Sequence, residues 1–294
     1  MHSISASKEL VMSTQPTQDV LPQGTRIGRT ALRVTDLEEV SEFYRTVVGL
    51  RVLDQSGSSS ILGVEDRPLL VLEEDEDAPR RQRSSAGLFH NAFRVPSRAA
   101  LGAALDRIRD QWQLSGASDH RVSEALYLRD PEGNGVEIYC DLPRDEWPTA
   151  DDGRVQISTE PLDLERIEAA AEGSTRAPPE TDVGHIHLEV SSLDAFRKFY
   201  IDTLGFEVQT TVPAASFVSA GGYHHHIGAN TWQHRTEPIS GRGLAWFEIV
   251  LPEPQALDAL RERFIGSQYP LTEADEGLSV MDSDGIEVRY RVDS

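Results

Sequence analysis

Three consecutive histidines, His224, His225 and His226, stand in the stretch YHHHIGANTW of a chain that has nine histidines in 294 residues. Imidazole titrates near neutrality and ligates divalent metals through either ring nitrogen, so such a run points to proton transfer or metal chemistry. Two further histidines occupy matched places: His90 lies five residues before Val95 in HNAFRV, and His185 five before Val190 in HIHLEV. Glu137 follows a glycine turn in GNGVEIY, on the face opposite Val136 and Ile138. Two imidazoles and one carboxylate form the 2-His-1-carboxylate triad, which holds a divalent metal such as Fe(II) on one face and leaves three coordination positions open.

These donors meet only if strands present them together. In HIHLEV, Ile186, Leu188 and Val190 alternate with His185, His187 and Glu189, so one face is apolar and suits a covering helix while the other lines a cavity. In HNAFRV, Phe93 and Val95 take the helix side and His90 the cavity side. Both segments belong to an internal repeat. RTALRVTDLEEVSEFYRTVVGLRVL from Arg29 and HIHLEVSSLDAFRKFYIDTLGFEVQ from His185 keep Leu32 and Leu188, Val34 and Val190, Phe43-Tyr44 and Phe199-Tyr200, and Gly49 and Gly205 in register. Each copy reads as strand, amphipathic helix, glycine stop and further strand. Weaker copies start at His90, ending in EALYLRD, the turn PEGNG and VEIYC, and at Ala245, ending in GLSVMDSDGIEVRYRV.

The reading is an α+β protein of four βαβββ modules. A flexible segment 1–24 precedes a first domain, 25–146, with modules one and two; a connector, 147–181, holds a short helix near Leu164 to Ala171; a second domain, 182–294, carries modules three and four. Modules one and four have Arg29 and Ala245 at the histidine place, and since arginine stays protonated and alanine has no donor atom, a metal-free cup is expected there.

Charge narrows the partners. Against 49 acidic residues stand 28 basic ones, of which only Lys8 and Lys198 are lysine, for a net charge of −21. Such a surface excludes nucleic acid and anionic membranes as partners. It resembles the surfaces of proteins from salt-loving organisms, where screening relieves self-repulsion, with an ordinary acidic protein as the other reading. No apolar run reaches the roughly 18 residues of a membrane span, and the polar N-terminus lacks a secretory core, so a cytoplasmic protein is expected. The single cysteine, Cys140, fits a reducing compartment.

The pattern LxVxDLxxxxxFYxxxxGL from Leu32 to Leu50, its repeat from Leu188 to Phe206, and the ending DPEGNGVEIY resemble the vicinal oxygen chelate superfamily of glyoxalases, bleomycin-resistance proteins and type I extradiol dioxygenases. The resemblance spans Arg26 to Val292 and implies paired modules, each pair curling its sheet into a cup around a site. Similarity to the extradiol enzymes implies an Fe(II) cofactor, with Mn(II) next, an aromatic diol of the catechol or hydroquinone type, and O2. His90, His185 and Glu137 are the implied ligands. His226, three residues before Ala229, is the implied proton carrier; Tyr127, ten residues before Glu137, and Asp119 are implied catalytic residues beside it, and His120, next to Asp119, is implied to touch the substrate or support these groups. His226 is expected to face the cup with His224, and His225 to face away. His187 and His225 are candidates to orient the ligands.

In the better-known extradiol enzymes the metal lies in the last two modules, whereas here modules two and three would supply it. Either these pair within one chain, or the cups form between subunits of a homodimer. Two other functions fit the superfamily: a glyoxalase-like isomerase or thiol transferase with His226 as a fourth ligand, and a metal-free binder of aromatic ligands.

Overall fold

The computed structural model describes residues 20–274 and 276–293; the greater part of the expected N-terminal segment, residues 1–19, lies outside the described residues. Module one comprises β1 (Arg26–Val34), α1 (Leu37–Phe43), β2 (Arg51–Ser56), β3 (Ser59–Val64) and β4 (Arg67–Glu74). Module two comprises β5 (Gly87–Arg94), α2 (Arg98–Gln111), β6 (Gly116–Asp119), β7 (Ser123–Arg129) and β8 (Gly135–Asp141). The connector adds β9 (Glu160–Pro161) and α3 (Leu164–Ala169), the latter where a short helix was expected. Module three is β10 (Asp182–Glu189), α4 (Leu193–Arg197), β11 (Glu207–Val212), β12 (Ala215–Ser219) and β13 (Ile227–Asn230). Module four is β14 (Gly243–Leu251), α5 (Pro254–Phe264), β15 (Thr272–Ala274), β16 (Gly277–Met281) and β17 (Glu287–Val292).

Local chemistry explains the helices. Asp36, Ser97 and Ser192 cap α1, α2 and α4 by accepting the backbone N–H of Glu39, Ala100 and Ala195, three residues on, while α5 starts with Pro254 in its first turn. Helices α1 and α4 each widen into a π-helical turn, Tyr44–Val48 and Lys198–Thr203, that leads into Gly49 and Gly205 with φ of 91° and 88°. That left-handed geometry is open to glycine and costly for other residues, which is why the glycine stops recur. The Phe-Tyr pairs of the repeat are buried at these turns, and burying each such ring contributes about 1.5–3 kcal/mol.

The sheets join modules across the sequence halves. One sheet runs β15-β16-β17-β14-β1-β4-β3-β2 and the other β11-β12-β13-β10-β5-β8-β7-β6-β9, so module one pairs with module four, and module two with module three. The central contacts are antiparallel, β1 with β14 and β10 with β5, and both lie within the chain. Segments 25–146 and 182–294 thus each give one module to each sheet. A single apolar core takes in side chains from all four modules, and the sheets touch where Asn91 Nδ2–H donates to Thr30 Oγ1 at 2.7 Å.

The histidine run departs from the expected strand. Regular pairing begins only at Ile227, opposite Ile186, because Gly221 and Gly222, with φ of 63° and 65°, turn the chain just before Tyr223. His224 to His226 are therefore irregular, and alternation does not govern where they point.

Candidate active site

Strand β5 lies between β10 and β8, and this order brings the three candidate donors together. His187 pairs with His90 across the β10–β5 contact, His185 with Ala92, and Ala92 in turn with Glu137 of β8. The buried methyl of Ala92 leaves room for the longer side chains on either side to lean over it. His90 Nε2 lies 3.0 Å from Glu137 Oε2, His185 Nε2 lies 3.2 Å from the same oxygen, and the two nitrogens are 3.3 Å apart. With metal–ligand bonds of about 2.0–2.2 Å, adjacent donors around one ion sit roughly 3 Å apart, so the donor set fits a single divalent cation.

The electrostatics agree. Burial acts to raise the Glu137 carboxyl, but His185 and His90 turned onto it outweigh that and hold it well below the ordinary value. Burial pushes His185 down to about 4 against the pull of Glu137, which leaves its lone pair free to ligate. The Glu137 carboxylate thus lies in the floor of a cavity whose described lining contains no Lys or Arg; burying such a charge is costly, and a bound cation relieves it.

The cavity has a volume of about 370 Å³. Its walls include Phe89, Phe217 and Trp232, with Ile157 and Thr159 from the connector and Thr210 and Val212 from β11. His120, Tyr127, His187 and His225 also face it. His120 Nδ1–H donates to the Ser158 carbonyl at 2.7 Å, so its Nε2 is left to accept from the Tyr127 hydroxyl at 2.6 Å. Burial, followed by the nearby charge of Glu137, pushes the Tyr127 hydroxyl well above its usual pKa. His187 packs its ring 4.9 Å from that of His90, and its Nε2 accepts from Asn230 Nδ2–H at 3.0 Å.

Four positional expectations are corrected, those for His224, His226, His225 and Asp119. His224 does not reach the cavity, because it is buried behind the wall with its Nε2–H on Asp141 at 2.9 Å. His226 does not line the cavity: its ring packs 4.9 Å from that of Tyr223 and its Nδ1 accepts the Ala220 N–H at 3.2 Å. His225 lines it instead, with its ring 4.1 Å from that of His185. The loss of strand geometry before Ile227 accounts for the exchange. Asp119 is also not brought to the cavity, since its carboxylate accepts the Arg121 N–H at 2.8 Å and closes the turn at that residue, whose φ is 67°.

In the other cup, finally, the counterpart of His90 is Trp246 rather than Ala245: Trp246 pairs with Ala31 as His90 pairs with His187. Arg29, like His185, comes two residues earlier than its paired neighbour. Glu248 pairs with Arg289 where Ala92 pairs with Glu137. Arg29 Nε–H donates to Glu248 at 3.0 Å, and the Arg289 guanidinium stacks 4.0 Å from the Trp246 ring centre.

Sequence reasoning did not reach the cavity walls on the connector, which carry no periodic signal, nor the carboxylate of Asp141, which accepts from buried His224 Nε2–H at 2.9 Å. The last could have been sought four residues beyond Glu137 on β8.

Paired βαβββ modules with a two-histidine, one-carboxylate cluster in one cup define the class of metal-site proteins built on the glyoxalase-like fold. The chain belongs to the Glyoxalase/Bleomycin resistance protein/Dioxygenase superfamily, whose family model matches residues 26–138 and 182–290. It is 40% identical over 269 residues to a catechol-2,3-dioxygenase of Bacillus subtilis (strain 168), covering 88% of this chain and 94% of that protein. A biphenyl-2,3-diol 1,2-dioxygenase of Rhodococcus globerulus is 28% identical over 123 residues, covering 40% of this chain and 63% of that one. Among solved structures, glyoxalase I from Zea mays shares the fold with a TM-score of 0.57 at 15% identity, covering 90% of this chain and 92% of that one.

Proposed function

We propose that the protein is an extradiol ring-cleaving dioxygenase that acts on an aromatic diol with O2, using Fe(II), or Mn(II) in its place, held by His90, His185 and Glu137. The observation that carries this reading is the convergence of those three donors on one point in the floor of an aromatic-walled cavity. Likeness to a catechol-2,3-dioxygenase over most of the chain supports it. When bound, the metal supplies a centre on which the diol oxygens and O2 are held side by side.

The chain's own groups do the rest. Phe89, Phe217 and Trp232 exclude water and hold the ring flat against apolar surface. Tyr127, fixed by His120, orients a ring oxygen. His225, rather than His226, stands beside the ligands to take a proton from the diol and return it to the product. The described lining offers no cationic partner for a carboxylate substituent, so the favoured diols are uncharged.

Anaerobic reconstitution with Fe(II), followed by catechol and air, tests the reading. A yellow ring-fission product that needs the metal and O2 is expected; conversion of a hemithioacetal, or tight diol binding with no turnover, would replace it with the isomerase or the binding-protein reading. The isomerase reading needs a fourth protein donor, and His226, expected in that place, points elsewhere.

A further inference from the structure

Behind the cavity wall a line of hydrogen bonds runs from a carboxylate to one imidazole nitrogen. Asp141 ends β8, and its Oδ1 accepts from His224 Nε2–H at 2.9 Å. The same carboxylate accepts from the Tyr223 hydroxyl and from Arg94, each at 3.1 Å. Burial acts to raise its pKa, but the pairing with His224, and after it the pairing with Arg94, outweigh that and keep it below the usual aspartate value. His224 is fully buried, and its Nδ1 lies 2.8 Å from Nδ1 of His225.

This order dictates where the hydrogens sit. An ionised carboxylate only accepts, so the hydrogen of a neutral His224 is on Nε2 and its Nδ1 carries a lone pair. The hydrogen between the two rings then belongs to His225 Nδ1, and the Nε2 of His225 is left as an acceptor. Among the described residues none hydrogen-bonds to that Nε2, and the ring lines the cavity.

We infer that Asp141 and His224 are positioning residues that hold His225 in the tautomer whose unprotonated Nε2 accepts from a hydroxyl of the diol. The inference rests on the cavity being the diol site, but the tautomer does not. A carboxylate that fixes an imidazole through its far nitrogen is a general means of orienting a functional histidine; here an extra imidazole extends the reach of the carboxylate by one ring.

Two-bond ¹H–¹⁵N correlation spectra of the histidine-labelled protein, without metal or diol, test it directly. The expected pattern is hydrogen on Nδ1 of His225 and on Nε2 of His224. The Asn side chain in Asp141→Asn can donate to His224, so the pattern should reverse or mix. In the Fe(II)-loaded enzyme the same change should lower kcat about 10–100-fold, the range for losing a partner that orients a functional imidazole, with KM and iron content near those of wild type. Hydrogen on Nε2 of His225 in the unmodified protein overturns the inference, with no variant needed and whatever the activity. Absence of ring cleavage in a protein that shows the expected tautomers overturns the dioxygenase reading instead.

Discussion

Of the aligned positions at which the two cups differ, four decide which one can hold a metal. Where modules two and three place His185, His90, Glu137 and Ala92, modules one and four place Arg29, Trp246, Arg289 and Glu248. In the second set the charges are paired by the protein itself: Arg29 and Arg291 both approach the buried Glu248, Arg29 also pairs with Glu276, and Arg289 lies on the Trp246 face beside Glu287. In the first set a carboxylate faces two imidazoles and no arginine. The site is thus created as much by withholding a cation as by supplying ligands. Ala92 matters for the same reason, because a Glu248-like side chain there would fill the space over which His185 and Glu137 lean.

The largest effect should come from the ligands themselves. Glu137→Ala, or the double change His90→Ala with His185→Ala, should abolish metal retention measured by elemental analysis after gel filtration; a stoichiometric metal in the double variant would falsify the site. Next, Ala92→Leu should push the flanking donors apart and weaken metal binding about 10–100-fold, read by competition with a chelator. Unchanged affinity would mean that this position does not separate the cups.

Smaller effects belong to the other cup. Arg29→Ala should leave metal content and turnover per folded molecule unchanged while costing about 1–3 kcal/mol of stability, since Glu248 loses its nearest partner; a loss of activity without loss of fold would show that the cups are coupled. The smallest effect concerns two matched turns. Burial, with nearby Asp284 adding to it, raises the Asp282 carboxyl to about 7 although it accepts from Ile286, Asp284 and Tyr200. Burial also raises Asp130, its counterpart near the metal cup, to about 6. Both lie above the roughly 3.9 of an unfolded aspartate, so each contributes stability that is full below about pH 4 and lost as pH rises through the folded value. Asp282→Asn should therefore flatten the fall in melting temperature between about pH 4 and 7, by a few degrees at about 2–4 °C per kcal/mol. Asp130→Asn should act at lower pH. Parallel wild-type and Asp282→Asn curves would show that the carboxyl is ionised throughout.

What was legible in the sequence follows from periodicity. The repeat, the module order and the parity of His90, His185 and Glu137 emerged because strand alternation is rigid within a paired strand. Ala245 stands five residues before Val250 as His90 stands five before Val95, but counted from the prolines that end the strands, Pro96 and Pro252, it is Trp246 that aligns with His90. Junctions, where a strand hands over to a helix, fix parity better than any one apolar residue. The histidine run has the composition of a strand, but two glycines with positive φ make it a bend, so strand alternation does not apply to it. Ile157 and Thr159 were out of reach because their place depends on how the connector folds back on β6 through Ser118 and Pro161.

The crossed pairing of modules also governs how the protein assembles. Thr30 and Phe247, partners in one sheet, are separated by most of the chain, whereas Tyr44 approaches Asp130 and Tyr200 bonds Asp282 within each sequence half. Neither half contains a complete cup, and each cup waits for both halves to be made. Folding should be slow for the size of the molecule, because its central contacts close long loops, and unfolding should take both cups down in one transition. Two separately expressed fragments cut in the connector would then be inert alone and regain the site only on mixing, as complementary parts of one cooperative unit.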